Sequence, residues 1–414
     1  MLRIHLAHQP LLALLAILSC VASCPAQQPT AAPARLAGPM EAPQFEHRGV
    51  VQDIAFSPDG RTLATCADDP DDPNDNRTVY LWEAATGKLL RRLQANPPRR
   101  NPSQDGSTTA VAFSPDGKLI AGCWGKGGLT IWDTASGDVR SSFQTGGSVK
   151  RCLRFSPDGA HIVAGNWIGE IVALRWADRV LAGRWQIPAE EPAVPQIGAD
   201  DLVRPDSVTS LDISPDGARI VASRWKSAST EAIVWKFDSP DPVVRIEQPN
   251  EVAGRNRRVF HTVRFSRDGS QLISAGVPFH LKDIAQGGRR SLDVHVREIR
   301  HWDAATGKLL AEYNDGLRPD EFQIVLQPAM ANSLNDVAPV HNSGVLDVSP
   351  DGQTIATFAD GIQLWRKGRD APFRSISDGG RVFRFSPDGK RIATSIGNVV
   401  KIFEIADGDR MNQK

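Results

Sequence analysis

One pentapeptide recurs along this chain and constrains what it can fold into. Phe-Ser-Pro-Asp-Gly is intact at 56–60, 113–117, 155–159 and 385–389, and varied copies stand at 213–217, 265–269 and 348–352. Ile213 and Val348 replace the aromatic, and Arg267 replaces the proline. Each copy stands between two short apolar runs, such as Leu63-Ala64-Thr65-Cys66 after the first. Proline presets φ and Asp-Gly accepts a tight turn, so each copy reads as the turn of a β-hairpin.

A second element follows every copy. It is an alternating strand that mostly ends in tryptophan: Trp82, Trp132, Trp235, Trp302 and Trp365. In the third unit Ile171-Val172-Ala173-Leu174 takes its place, and in the last Val400-Lys401-Ile402-Phe403. Another turn comes next, Glu83-Ala84-Ala85-Thr86-Gly87-Lys88 and its near copy Asp303-Ala304-Ala305-Thr306-Gly307-Lys308. A short fourth strand then completes the unit. Four strands per unit and seven units predict an all-β, seven-bladed β-propeller. A chain with 35 Gly and 29 Pro suits many short strands joined by turns.

The turn motifs and the Leu/Ile-Trp-Asp/Glu endings resemble WD-repeat propellers of the bacterial type over about residues 43–408. Related Tol-type propellers share the Ser-Pro-Asp-Gly turn but not those endings. The resemblance implies a shape, the propeller, that serves many functions. Two departures stand out. The family's Gly-His is reduced to Glu46-His47 before blade 1, and the Asp before the third strand is mostly missing. The buried polar network of the family is therefore expected to be absent from most blades, leaving apolar packing between blades to carry stability.

Ring closure is predicted from the termini. No fourth strand follows Ile405-Ala406-Asp407-Gly408, whereas Pro43-Gln44-Phe45-Glu46 has the character of one. Residues 43–47 are expected to complete the last blade.

In an antiparallel meander the 1–2 and 3–4 turns share one face, and the 2–3 loops and interblade links share the other. The long insertions are all of the second kind: Asp68–Arg77, Ala95–Ser107, Ile187–Asp206, Gln248–Arg257, Val277–Asp293 and Asn314–Asn342. One-sided insertions often mark a binding face, although surface loops also tolerate growth without selection for binding. Blades 2, 3 and 4 each carry a tryptophan near the end of the second strand, Trp124, Trp167 and Trp225, with Lys126, Arg224 and Lys226 beside them. These six are the candidate partner contacts, since Trp and Arg anchor interfaces efficiently. The competing reading wedges the tryptophans between blades. A protein, peptide or glycan would suit such a surface.

Residues 1–26 read as a signal peptide: Arg3, the apolar run Leu11–Leu18, then small residues. Val21-Ala22-Ser23-Cys24 resembles a lipoprotein box that would place a lipid on Cys24, while cleavage after Ala26 would release a soluble protein. Residues 27–42 form an Ala/Pro-rich linker and 409–414 a tail. The expected location is extracytoplasmic: periplasmic, secreted or lipid-anchored. Any membrane contact would be through that anchor.

With 48 basic and 48 acidic residues, the chain has no general attraction for nucleic acid. Cys66, Cys123 and Cys152 fall within strands and read as small buried residues. The acidic stretch Asp68–Asn76 lacks the turn glycine and closing glutamate of a calcium loop and reads as solvated. No i,i+4 histidine pair, nucleophile elbow, Walker loop or dinucleotide fingerprint is present, so no metal, cofactor or catalytic residue is expected. The function expected is a non-catalytic protein- or peptide-binding scaffold of the cell envelope. The alternatives are a propeller hydrolase or lyase with a channel site, and a purely structural envelope component.

Overall fold

The computed structural model describes residues 43–405 except 69–77, 96–107, 125–126, 146–149, 167, 188–207, 226–228, 250–255, 258–259, 277–278, 285–288, 295–297, 315–322, 327–345, 360, 367–371 and 381, together with a short strand at Ala34–Arg35. Seven antiparallel sheets of four strands follow one another round a ring. Blade 1 runs Val50–Phe56, Thr62–Asp68, Thr78–Glu83 and Leu89–Gln94. The other first strands are Thr108–Phe113, Lys150–Phe155, Val208–Ile213, Phe260–Phe265, Leu346–Val348 and Phe383–Phe385. Ala34–Arg35 adds a parallel edge to blade 6.

The last blade has three strands of its own, and its fourth is Gln44–Glu46. Phe45 pairs with Val400 and is fully buried. The His47 amide donates to Asn398 O at 2.8 Å, and the Asn398 side chain donates back to His47 O at 2.8 Å. The two ends of the chain thus close the ring as the sequence predicts.

The core is divided among the seams. Seven apolar clusters occur among the described residues, and each draws on two adjacent blades. Strand pleating explains this: alternate side chains of one sheet point to opposite neighbours. Apolar packing between blades is therefore the dominant adhesive. The polar network survives in blade 1, where Trp82 Nε1 donates to Thr65 Oγ1 at 2.8 Å and Thr65 meets His47 Nε2 at 3.0 Å. Blades 5 and 6 keep the two-residue part, Trp302 to Ser274 and Trp365 to Thr357.

Each pentapeptide turn is built alike. In the first, Ser57 Oγ donates to Asp59 Oδ1 at 2.6 Å, the Arg61 amide donates to the same oxygen at 3.0 Å, and the Thr62 amide donates to Ser57 Oγ at 2.9 Å. The turns also touch one another. A Cβ placed on Gly117 would lie 3.3 Å from Pro58 Cδ of the preceding blade. The relation repeats from Pro115 to Gly159, Pro157 to Gly217, Pro215 to Gly269, Pro350 to Gly389 and Pro387 to Gly60. Only the step from Arg267 to Gly352 is slack, at 4.0 Å. Proline and glycine are thus paired between blades as well as within each turn.

Candidate functional site

The two faces of the ring differ. One carries the interlocked circuit of pentapeptide turns. The other carries the insertions, three of which come together in a second four-stranded antiparallel sheet that the sequence did not reveal. Its central hairpin, Phe279–Ile284 and Arg289–Val294, arises between the second and third strands of blade 5. Asn256–Arg257, from the link into blade 5, pairs with one side of that hairpin. Gln323–Leu326, from the link out of it, pairs with the other. The remaining insertions, and with them the acidic stretch of blade 1, fall at 69–77, 96–107 and 188–207, outside the described residues.

Trp124 and Trp225 do not occupy matching positions, and register is the reason. Trp124 follows its turn aromatic by eleven residues, Trp167 and Trp225 by twelve. Trp124 pairs with Thr108 and Gly128, and so shares its register with Asn166 and Arg224. Trp225 takes the next position, opposite Thr230. A one-residue step reverses the side of the sheet. Trp124 is accordingly 6% exposed and packs with Val79, Leu93, Ile120 and Trp132 in the seam between blades 1 and 2. That is the interblade wedge, not a surface anchor.

Arg224 is not a surface anchor either. It is 2% exposed and lies directly across from Glu231. Its Nε donates to Glu231 Oε2 at 2.9 Å, and Arg245 Nη1 donates to Glu231 Oε1 at 3.0 Å. Blade 3 repeats the arrangement with Asn166, Glu170 and Arg184, at 2.8 Å and 2.7 Å. A buried carboxylate therefore ties three strands together at the insertion-side end of each of these blades. Lys126, Trp167 and Lys226 lie outside the described residues, as does the side chain of Trp225; Cys24 is likewise outside them.

The channel holds groups that sequence reasoning did not single out. The residue just before the turn aromatic alternates in charge round blades 3 to 7: Arg154, Asp212, Arg264, Asp347, Arg384. On blade 1 Asp53, two positions earlier than that place, supplies a further carboxylate. Asp53, Arg154, Arg264 and Arg384 line one cavity with room for about one water-sized occupant. The carboxylates stitch the seams: Asp212 accepts from the Phe265 amide at 2.9 Å, Asp347 from Phe385 at 2.8 Å, and Asp53 from Val111 at 3.1 Å. Arg384 pairs with Asp53 at 3.1 Å, and Arg154 approaches Asp212 at 3.9 Å. Arg264 is the exception. Burial, reinforced by Arg154, pushes its guanidinium down to about 10.

Among the described residues, no three of His, Cys, Asp and Glu converge as a metal site. Cys66, Cys123 and Cys152 are free thiols buried in the strands, and burial raises the Cys66 thiol well above its ordinary range.

With the ring in view, relatives can be compared. Residues 43–83 and 97–133, the closing strand with blade 1 and then the start of blade 2, match the WD domain, G-beta repeat. The first two blades carry WD repeats, in a ring of seven blades. Over 128 residues it is 29% identical to a guanine nucleotide-binding protein subunit beta of Oryza sativa, which is 29% of this chain and 31% of the relative. It is 30% identical over 112 residues to apoptotic protease-activating factor 1 of Homo sapiens, 27% of this chain and 8% of that one. With a WD repeat-containing protein of Synechocystis it shares 36% identity over 81 residues, 19% of each chain. The matched part spans about a third of the first of these relatives and less of the others.

Proposed function

We propose that this WD-repeat propeller is a non-catalytic scaffold that holds a protein or peptide on its insertion-bearing face. The observation that carries the reading is the second sheet. Three separate insertions, each of which a ring could omit, pair with one another on one face, while the opposite face is occupied by the repeated turns. Ordered structure added to a repeat scaffold on one side is where recognition elements are commonly mounted. The short outer strands of that sheet offer backbone groups to which an extended peptide can add. Trp167, Trp225, Lys126 and Lys226 remain candidate contacts on sequence grounds. The rice relative is by name a subunit of a larger protein, which is the kind of setting proposed here.

The proposed setting is the cell envelope. The support is the apolar run of residues 11–18 and the box ending at Cys24. Fractionation with N-terminal sequencing of the mature protein tests it. Processing at Cys24 with lipid attached, or after Ala26, supports export, and an intact N-terminus in the cytosol refutes it.

The binding reading is tested by replacing residues 277–297 with a short Gly-Ser turn. Circular dichroism and melting verify that the ring persists. The shortened protein and the intact one then serve as baits in envelope extract. Specific partners lost on shortening support the face assignment, and partners retained in full place recognition elsewhere.

A further inference from the structure

Arg264 stands at the channel waist and the scaffold reading gives it no task. It is 7% exposed. Its hydrogen bonds all leave from Nη1 and all go to neutral acceptors: Ser210 Oγ at 2.8 Å, Val263 O at 3.0 Å and Leu211 O at 3.3 Å. A guanidinium carries five N–H donors. Nε and Nη2 have no partner among the described residues, and no described carboxylate comes within ion-pairing distance. The other two arginines of the belt each have a carboxylate at hand, Asp53 for Arg384 and Asp212 for Arg154.

A buried cation without a counter-charge is among the costliest arrangements in a fold. The groups that face Arg264 are Arg154, Asp212, Arg384 and Asp347. The two carboxylates among them are held back at the seams, where each accepts an amide from the next blade. The guanidiniums of Arg154, Arg264 and Arg384 all line the same cavity. Asp53 lines it too, but is engaged by Arg384 and by the Val111 amide, so Arg264 is the cation there with donors to spare and the one an added anion would serve.

We propose that the channel waist binds one small monovalent anion on Arg264, and that the bound anion stabilises the ring. The cavity admits a halide ion or the tip of a single carboxylate group. With room for about one water, it disfavours a larger tetrahedral oxyanion such as sulfate. Such a ligand gives Arg264 a counter-charge inside a cavity lined by first strands of several blades, so it acts on the ring as a whole.

The test is thermal unfolding of the full chain in sodium chloride, sodium formate and sodium gluconate at equal ionic strength. Gluconate is too large to enter. Chloride or formate is expected to raise the melting temperature saturably, by about 4 °C for an affinity of about 1 mM at 150 mM salt. The Arg264→Met variant is expected to lose that dependence while still melting cooperatively. Stabilisation by formate alone would assign the site to carboxylates, and by chloride alone to halides. The same dependence in both proteins would be a general salt effect and would overturn the proposal. A direct measurement needs no variant: crystals grown in bromide should show one anomalous peak within hydrogen-bonding distance of Arg264. A waist without bromide at saturating concentration, in a protein that formate does not stabilise either, refutes the site.

Discussion

The indole of Trp124 lies directly over Gly128, its cross-strand partner in blade 2. A Cβ built on Gly128 would fall 2.4 Å from both Nε1 and Cε2 of the ring. The glycine is therefore the floor that lets this tryptophan lie flat in the seam with blade 1. Gly128→Ala should drive the indole from its slot and cost about 1–3 kcal/mol, as overpacking does. Trp124→Ala should cost about 3–5 kcal/mol through the cavity it leaves. Urea unfolding of the two variants and the double variant checks this. If the two losses simply add, the contact is not the one described, because residues in contact couple.

Arg224 and Glu231 give a second prediction. Removing Arg224 leaves the buried Glu231 only the half-exposed Arg245 as a partner, so Arg224→Ala should cost about 3 kcal/mol, the low end for a broken buried pair. Replacing both, as in Arg224→Met with Glu231→Leu, should cost much less, because no unpaired charge is left between the strands. Part of the loss will persist, since Arg245 also leans on Glu231. A double variant as unstable as the single one would mean that the ion pair is not the stabilising element.

Much of this was legible beforehand. Seven turn motifs specified the blades, and the fourth-strand character of Gln44-Phe45-Glu46 pointed to the closure. The repeat works so well as a signal because proline and glycine serve both the turn and the contact with the next blade. The site was less legible. Trp124 and Trp225 stand eleven and twelve residues after the start of their turn motifs, and that single residue of register, which reverses the side of the sheet, gained its meaning only from the strand pairing. The second sheet was hidden because its strands come from three distant insertions. The channel belt left a trace, alternating charge before each turn aromatic, but that pattern becomes a cluster only when the ring closes.

Arg267 offers a stabilising change. At the same place in the other six turns a proline touches the next blade's glycine, and the turn there needs no amide. The turn of blade 5 is otherwise the same, with the Gly269 amide donating to Ser266 O at 2.8 Å. Arg267→Pro should therefore fit without strain and restrict the unfolded chain, adding about 0.5–1 kcal/mol. It should also tighten the contact with Gly352. The melting temperature should rise by about 1 °C in a ring of this size. A fall would show that blade 5 holds a backbone conformation proline cannot take.

Acid should weaken all seven blades together. Asp59, Asp116, Asp158, Asp216, Asp268, Asp351 and Asp388 are all held below the ordinary carboxylate range. In six the serine hydroxyl is the largest cause, followed by opposing burial for Asp388 and by a backbone amide for the rest. In Asp351 burial is largest and opposes the shift, but the serine and the amide together outweigh it. Asp268 is lowered to about 2 because Ser266 and two groups of Ser270 donate to it. A carboxylate lowered in the folded state contributes fully above its unfolded value, and that contribution is lost as pH falls through the folded one. The window is thus about pH 4 down to about 2. These side chains are exposed, so screening leaves only a few tenths of a kcal/mol each, or ~2 kcal/mol for the ring. Unfolding free energies at pH 5 and pH 3 measure the loss. Asp268→Asn should make that difference smaller, and an unchanged difference would remove the turn carboxylates as its cause.

Closure is the contact on which the ring depends most. A chain that begins at Val50 loses the strand Gln44–Glu46, and with it Phe45, which sits edge-on to Trp82 at 5.7 Å. It also loses His47, whose imidazole meets Thr65 and lies edge-on to both Tyr80 and Trp82. Phe45 alone should account for about 3–5 kcal/mol. The three ladder pairs and the unmet polar atoms of Thr65 and Asn398 add to it. The truncated chain should therefore melt far below the full ring or fail to fold. Phe45→Ala in the full chain should reproduce a large part of the loss while leaving the strand in place. Supplying residues 43–49 as a separate peptide should restore stability in proportion to its concentration, since it binds the folded ring and not the unfolded chain. A truncated ring that melts as the intact one does would mean that blade 7 holds its seam with three strands.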